Sequence, residues 1–220
     1  MCIRDRYNNI RFEFSDIDQA SAFATLFTGS NPCFSGIAGD KTFDFEKEKE
    51  VSILNDPEYL GNYTKENYSP KNLFSSTIGD ELKIASQGRS DVYSIAPDAE
   101  SAILSAGHAA NGAFWMDNTN GKWATTTYYK GIPWYVDRYN NGPESLASRL
   151  ETMVWTPTLP MEKYNAFPYV LDDLPFRYTF SEKFANCYPH LKTSPFINKE
   201  INRLAPVSYT HLTLPTIYSV

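Results

Sequence analysis

Residues 69–96, SPKNLFSSTIGDELKIASQGRSDVYSIA, narrow most sharply what this chain can fold into. Ser69 is a good N-cap, Pro70 suits a first helical position, and Gly88 is a good C-terminal stop. Leu73, Ile78, Leu82 and Ala85 recur at helical spacing, so a helix is expected over this stretch with those residues on one face. A tight glycine turn then leads into DVYSIA, a short apolar run suited to a buried parallel strand. A helix feeding such a strand is half of a βαβ unit. That favours an α/β layer architecture over an all-helical or all-β one.

The other elements fit around that unit. IDQASAFATLFTG, from Ile17 to Gly29, reads as a helix over about Asp18–Thr28 that stops at glycine. SGIAGD turns into a short extended piece ending near Phe43, and DFEKEKE reads as a charged surface loop. LNDPEYLGNYTKENYSP is rich in turn formers and reads as an irregular connection. GAFWMD and KWATTTYY alternate around the polar NTNG turn, which predicts a β-hairpin. IPWYVDRYNNG and GPESLASRLETMVW each predict a helix. PTLPMEKYNAFPYVLDDLP predicts a proline-punctuated loop, and SPFINKEINRLA a further helix with a Ser-Pro start.

The two ends carry a different signal. MCIRDR and VSYTHLTLPT correspond to the complementary ends of a library adapter translated in frame with a metagenomic insert. Residues 1–6 and 206–220 are therefore expected to be adapter-derived, and 7–205 to be part of a larger domain cut at both sides. Excluding Arg4, Asp5 and Arg6 removes two positive charges and one negative, which takes the formal charge from −6 to −7. A mildly acidic surface gives no reason to expect a nucleic-acid partner. No apolar run is long enough to span a bilayer. Cys33 and Cys187 can be bridged or free, so they do not fix the redox compartment.

No familiar catalytic pattern stands out. The chain has no CxxC, HxH or HExxH for zinc, no GxSxG elbow, and no phosphate loop of the right spacing. Asp172–Asp173 and the alternating Glu46, Glu48 and Glu50 read as solvated surface. His108, in AGHAANG, reads as a packed or loop-bracing residue. Trp115, Trp123, Trp134 and Trp155 read as core or hairpin-face residues.

Five segments taken in order carry a resemblance: ATLFTGSNPCFSGIAGD, YSPKNLFSSTIGDELKIAS, SAILSAGHAANGAFWMD, TTTYYKGIPWYVDRYN and KTSPFINKEI. Together they resemble the alkaline phosphatase and nucleotide pyrophosphatase/phosphodiesterase superfamily, nearest to bacterial alkaline phosphatases with a threonine nucleophile. The resemblance implies an α/β/α sandwich with a mostly parallel sheet, here partial, plus the β-hairpin and irregular cap segments. It also implies a two-zinc site in active members, with a metal-bound alkoxide attacking a phosphate ester at a helix N-terminus.

At the positions that carry this chemistry the sequence departs from the family. The nucleophile position falls on Gln19, with Ser21 or Ser15 as fallbacks if the alignment slips, and the family's histidine position falls on Phe23. The phosphate-binding asparagine position falls on Asp40. The Lys-x-Arg pair that grips phosphate falls on Asp98 and Glu100. Exchanging a cation for a carboxylate ~4–6 Å from a phosphate shifts that contact by several kcal/mol at an effective dielectric of about 20. The family's metal ligands align before Tyr7 and after Ala205, so no metal is expected within residues 7–205.

The expected function is a catalytically degenerate phosphatase relative, a binding or structural protein with an unknown small-molecule ligand, such as a phosphate or other ester. The alternative is an active metal-dependent mono- or diester hydrolase with an altered site, in which Asp40, Asp98 and Glu100 meet a cationic group or a further metal. By resemblance alone the location would be the periplasm or cell surface.

Overall fold

The computed structural model describes residues 11–15, 17–45, 47–156, 179–183 and 186–213, with side chains up to 206. Two compact units emerge, one of Met1–Met116 with Ala124–Ile132, the other of Asp117–Trp123 with Pro133–Val220.

The first unit opens with α1 (Gln19–Thr28), capped by Asp18 and ended by Gly29 in the left-handed region at φ 68°. Its Gly29 amide returns to the Thr25 carbonyl, as the sequence predicts for a glycine stop. A short helix, α2 (Pro32–Ser35), follows. The charged stretch is then not a plain loop. β1 (Lys41–Asp44) and β2 (Lys49–Ser52) form a separate antiparallel hairpin, pairing Lys41 with Ser52 and Asp44 with Lys49. Its strands are mostly exposed, so no apolar alternation marked them in the sequence.

The main sheet has four strands in the order β3-β6-β5-β4. These are β3 (Gly61–Asn62), β4 (Tyr93–Ala96), β5 (Gly112–Met116) and β6 (Trp123–Thr126). β4 and β5 run parallel, with Tyr93 opposite Gly112 and Ala96 opposite Trp115. β3 and β6 run antiparallel. Between β4 and β5 lies α4 (Ala99–Ala106), so the βαβ unit is β4-α4-β5 and uses a helix that the sequence reading passed over. α4 packs on both of those strands and on α1. The core of this unit gathers Ala20, Ala24, Ile37, Leu54, Leu73, Ala102, Ile103, Leu104 and Trp115.

The predicted helix over 69–88 is shorter than expected. α3 spans Ile78–Ala85, capped by Thr77 in a reciprocal box with Asp80. Ser69 instead buries its hydroxyl against Asp56 at 2.6 Å, and Leu73 is buried ahead of the helix. Ile78 and Leu82, expected to share one face with Leu73 and Ala85, are 71% and 51% exposed, whereas Leu73 is buried.

The second unit holds α5 (Trp134–Asn141), α6 (Leu146–Leu150), α7 (Cys187–Lys192) and α8 (Phe196–Thr213). The predicted loop from Pro157 and the Asp172–Asp173 pair lie outside the described residues. A buried ion pair anchors this unit. Arg149 donates to both oxygens of Glu200 at 2.7 and 2.6 Å, and Tyr139 donates to the same carboxylate at 2.7 Å. Glu200 is 1% exposed, so this paired geometry is what makes its charge tolerable there. Cys33 is exposed and Cys187 buried, and both are free thiols.

Candidate functional site

The first turn of α1 is where an anion would bind in a fold of this kind, because its amides lack partners within the helix. Here the chain's own carboxylates take two of them. Asp18 Oδ1 accepts the Ser21 amide at 2.9 Å, and Ser21 Oγ accepts the Asp18 amide at 3.1 Å. The next donor, the Ala20 amide, goes to Asp40 Oδ1 at 2.8 Å. Asp40 in turn donates its amide to Asp18 Oδ2 at 2.6 Å, so the two aspartates lock the loop after Gly39 onto the helix start. Burial raises the Asp18 carboxyl, but the amides of Ser21 and Asp40 together with the Ser21 hydroxyl outweigh it and hold the group below its usual value.

Gln19 occupies the first position of α1 and is exposed. Its Nε2 donates to Ser101 Oγ at 2.6 Å and to Asp98 Oδ2 at 3.3 Å. Asp98 is the N-cap of α4, and Ser101 lies buried in its first turn. Gln19, Asp40 and Asp98 are thus brought to one place, linked through the α1 N-terminus. Glu100, also in the first turn of α4, contributes with burial and Glu66 to pushing the Tyr68 phenol up. Ser21 is fully buried within the capping box, and Ser15 is exposed ahead of the helix. Phe23 is half-buried and stacks on Phe27 with ring centroids 6.1 Å apart.

His108 sits in a different cluster. Its Nδ1 lies 3.1 Å from Asp80 Oδ2 and its Nε2 lies 2.8 Å from the Leu73 carbonyl. Asp80, 4% exposed, also accepts the amides of Thr77, His108 and Ala109. The Tyr128 and Tyr129 hydroxyls close the same loop onto the carbonyls of His108 and Gly107. His108 Nε2 meets the Leu73 carbonyl and Nδ1 meets Asp80, whose carboxylate also holds the amides of Thr77, His108 and Ala109, which makes His108 a brace between α3 and the loop before β5. Trp115 and Trp123 are core residues, whereas Trp134 is 60% exposed.

No group of three or more His, Cys, Asp or Glu side chains among the described residues could hold a metal ion. The donors among the described residues do not fit a zinc site.

No protein-family model matches the chain. It is 35% identical over 162 residues to alkaline phosphatase PafA of Elizabethkingia meningoseptica, covering 71% of this chain and 29% of that protein. It is 32% identical over 190 residues to alkaline phosphatase PhoV of Synechococcus elongatus, covering 84% of this chain and 34% of that one. The crystal structure of wild-type PafA superposes with a TM-score of 0.72 at 31% identity, covering 86% of this chain and 39% of PafA. The chain belongs to the alkaline phosphatase superfamily. It spans about a third of the length of the curated phosphatases it matches.

The α/β architecture of that superfamily, with a parallel strand pair and a separate antiparallel hairpin, is the one observed. Set in the alkaline phosphatase frame, the site includes residues that sequence reasoning did not name. Asp18 was available as an Asp-x-x-Ser capping signal ahead of α1. Ser101 was hidden because α4 itself was not recognised. Its start, PDAESAIL, offers only Asp98 as a cap, and Asp98 makes no side-chain capping bond.

Proposed function

We propose that the protein to which this chain belongs keeps the alkaline phosphatase frame without phosphate-ester hydrolysis and acts as a binding or structural protein. The observation that carries this reading is the state of the α1 N-terminus. Gln19 stands where the resemblance puts the nucleophile, and its amide is engaged by Ser101 and Asp98. An amide nitrogen has no lone pair basic enough to attack phosphorus. The Ala20 amide, which would otherwise favour an anion, already faces Asp40. Each carboxylate at ~5 Å opposes a phosphate charge by about 3 kcal/mol at an effective dielectric of 20, reduced where water screens it.

In this reading residues 7–205 are part of the larger phosphatase-like domain, and residues 1–6 and 206–220 derive from the library adapter. The intact protein would be exported to the periplasm or cell surface, as the resemblance implies. Any zinc would be held by residues outside 7–205. No helix among the described residues is long and apolar enough to cross a membrane. Calorimetric titration of the intact protein with inorganic phosphate tests the reading. No binding up to millimolar concentration is expected, and micromolar affinity would remove the observation that carries the reading, by showing that the α1 N-terminus still receives an anion.

A further inference from the structure

We propose that Asn141 is a modification site, where the side-chain amide is converted to aspartate and isoaspartate by attack of the Gly142 backbone nitrogen. The site lies wholly within the second unit and is independent of whether the intact protein hydrolyses esters.

An Asn-Gly pair is open to this chemistry because glycine has no Cβ to shield its nitrogen or restrict its backbone. The chain has three such pairs, at Asn111, Asn120 and Asn141. Their surroundings separate them. Asn111 Oδ1 accepts the Val92 amide at 3.0 Å and its Nδ2 donates to Asp91 at 2.8 Å, while Gly112 is buried in β5. At the second pair the attacking nitrogen is engaged. The Gly121 amide donates to the Asp117 carbonyl at 3.1 Å, and Asn120 Oδ1 accepts the Lys122 amide at 2.8 Å.

Asn141 differs at each point. It is exposed and is the last residue of α5. Helix ends fray, which lets Asn141 swing its Cγ toward the next nitrogen. Gly142 is extended at φ −81° and ψ 174°. Among the described residues its amide makes no return bond to its helix of the kind that Gly29 and Gly107 make. The fold needs glycine there, since an added Cβ would lie 2.6 Å from the Arg138 carbonyl. Lys122 Nζ donates to Asn141 Oδ1 at 2.8 Å, which places a cation on the oxygen that gains negative charge during attack. Asn141 Nδ2, the leaving nitrogen, donates to the Asp137 carbonyl at 3.1 Å and to its carboxylate at 3.2 Å.

The conversion needs only water. Hydroxide takes the Gly142 amide proton, a bond forms from that nitrogen to Asn141 Cγ, and the Cγ–Nδ2 bond breaks. Nδ2 takes a proton from water and leaves as ammonia. Water then opens the resulting cyclic imide at either carbonyl, giving aspartate or isoaspartate. The new carboxylate stands at the C-terminal end of α5, where the helix dipole disfavours a negative charge.

Peptide mapping by mass spectrometry of the 220-residue chain, incubated at neutral pH, tests the assignment. Conversion at Asn141 is expected to run at least tenfold faster than at Asn111 or Asn120. In the urea-unfolded chain the three rates should fall within threefold of one another. In the folded chain Lys122→Gln should slow conversion at Asn141 at least threefold, and Lys122→Arg should restore it. An unchanged rate at Asn120 in both variants checks that the turn stays intact. Equal rates at the three pairs in the folded chain would overturn the proposal. So would a tenfold preference for Asn141 that persists in urea, since the local sequence alone would then set it. An unchanged rate at Asn141 in Lys122→Gln would overturn it as well.

Discussion

The amide of Ala20, one residue into α1, donates to the carboxylate of Asp40 at 2.8 Å. Asp40 is 20 residues further along the chain and is itself held by Asp18. A helix start that could receive an external anion is thereby closed by an internal one.

Replacing Asp40 by Asn tests that closure. The side-chain oxygen can still accept the Ala20 amide, but the negative charge is gone. Removing one opposing charge at ~5 Å weakens the repulsion of phosphate by up to about 3 kcal/mol. Calorimetry on the intact Asp40→Asn protein should show phosphate affinity raised at least tenfold over the parent. Unchanged affinity would separate Asp40 from the anion position.

Asp18 has a second role, as the cap of α1. Asp18→Ala removes the acceptor for Ser21 and Asp40 and should lower stability by about 1–2 kcal/mol, read as a shift in the urea midpoint with an unchanged slope.

Acid stability follows from Asp18 and Asp80, both held below their ordinary values against the raising effect of burial, by amide and hydroxyl donors and, for Asp80, by His108 as well. The unfolded chain then binds more protons in the acid range than the folded one. Their stabilisation is complete above the unfolded carboxylate value of about 3.9 and is lost as pH falls through the lower folded values. Urea midpoints measured from pH 6 down to pH 2 should fall in that window, and Asp80→Asn should flatten the fall.

Gly107 allows the Asp80 brace to close. At φ 76° it sits where an added Cβ would run into Thr77 Oγ1 and Asp80 Oδ2, both buried. Gly107→Ala combines a strained backbone with a displaced hydrogen-bond network, so a loss of about 2–4 kcal/mol is expected in the same urea assay. A loss below 0.5 kcal/mol would show that the loop adapts.

The parts of this structure that were legible in the sequence are those fixed locally. Asp18 and Gly29 bound α1 within a few residues, and the NTNG turn sets β5 and β6. α3 was misjudged at its start because Ser69-Pro70 imitates a helix entry. Only the long-range partner Asp56 diverts the Ser69 hydroxyl, while the real box, Thr77 with Asp80, lies eight residues on. The β1–β2 hairpin was hidden because its strands are exposed and charged, leaving no apolar period to read. At the site, Gln19, Asp40 and Asp98 could be placed by alignment to a motif. The pairing of Asp40 with Ala20, and of Gln19 with Ser101, depends on the packing of α1 against α4, which no local pattern encodes.

The most direct test of the account is turnover by the intact protein loaded with zinc, followed as p-nitrophenol release from p-nitrophenyl phosphate and from bis-p-nitrophenyl phosphate. The proposed reading predicts no release above the uncatalysed background with either ester, before or after a chelator is added. Release that a chelator abolishes, and that Ser21→Ala also abolishes, would contradict it.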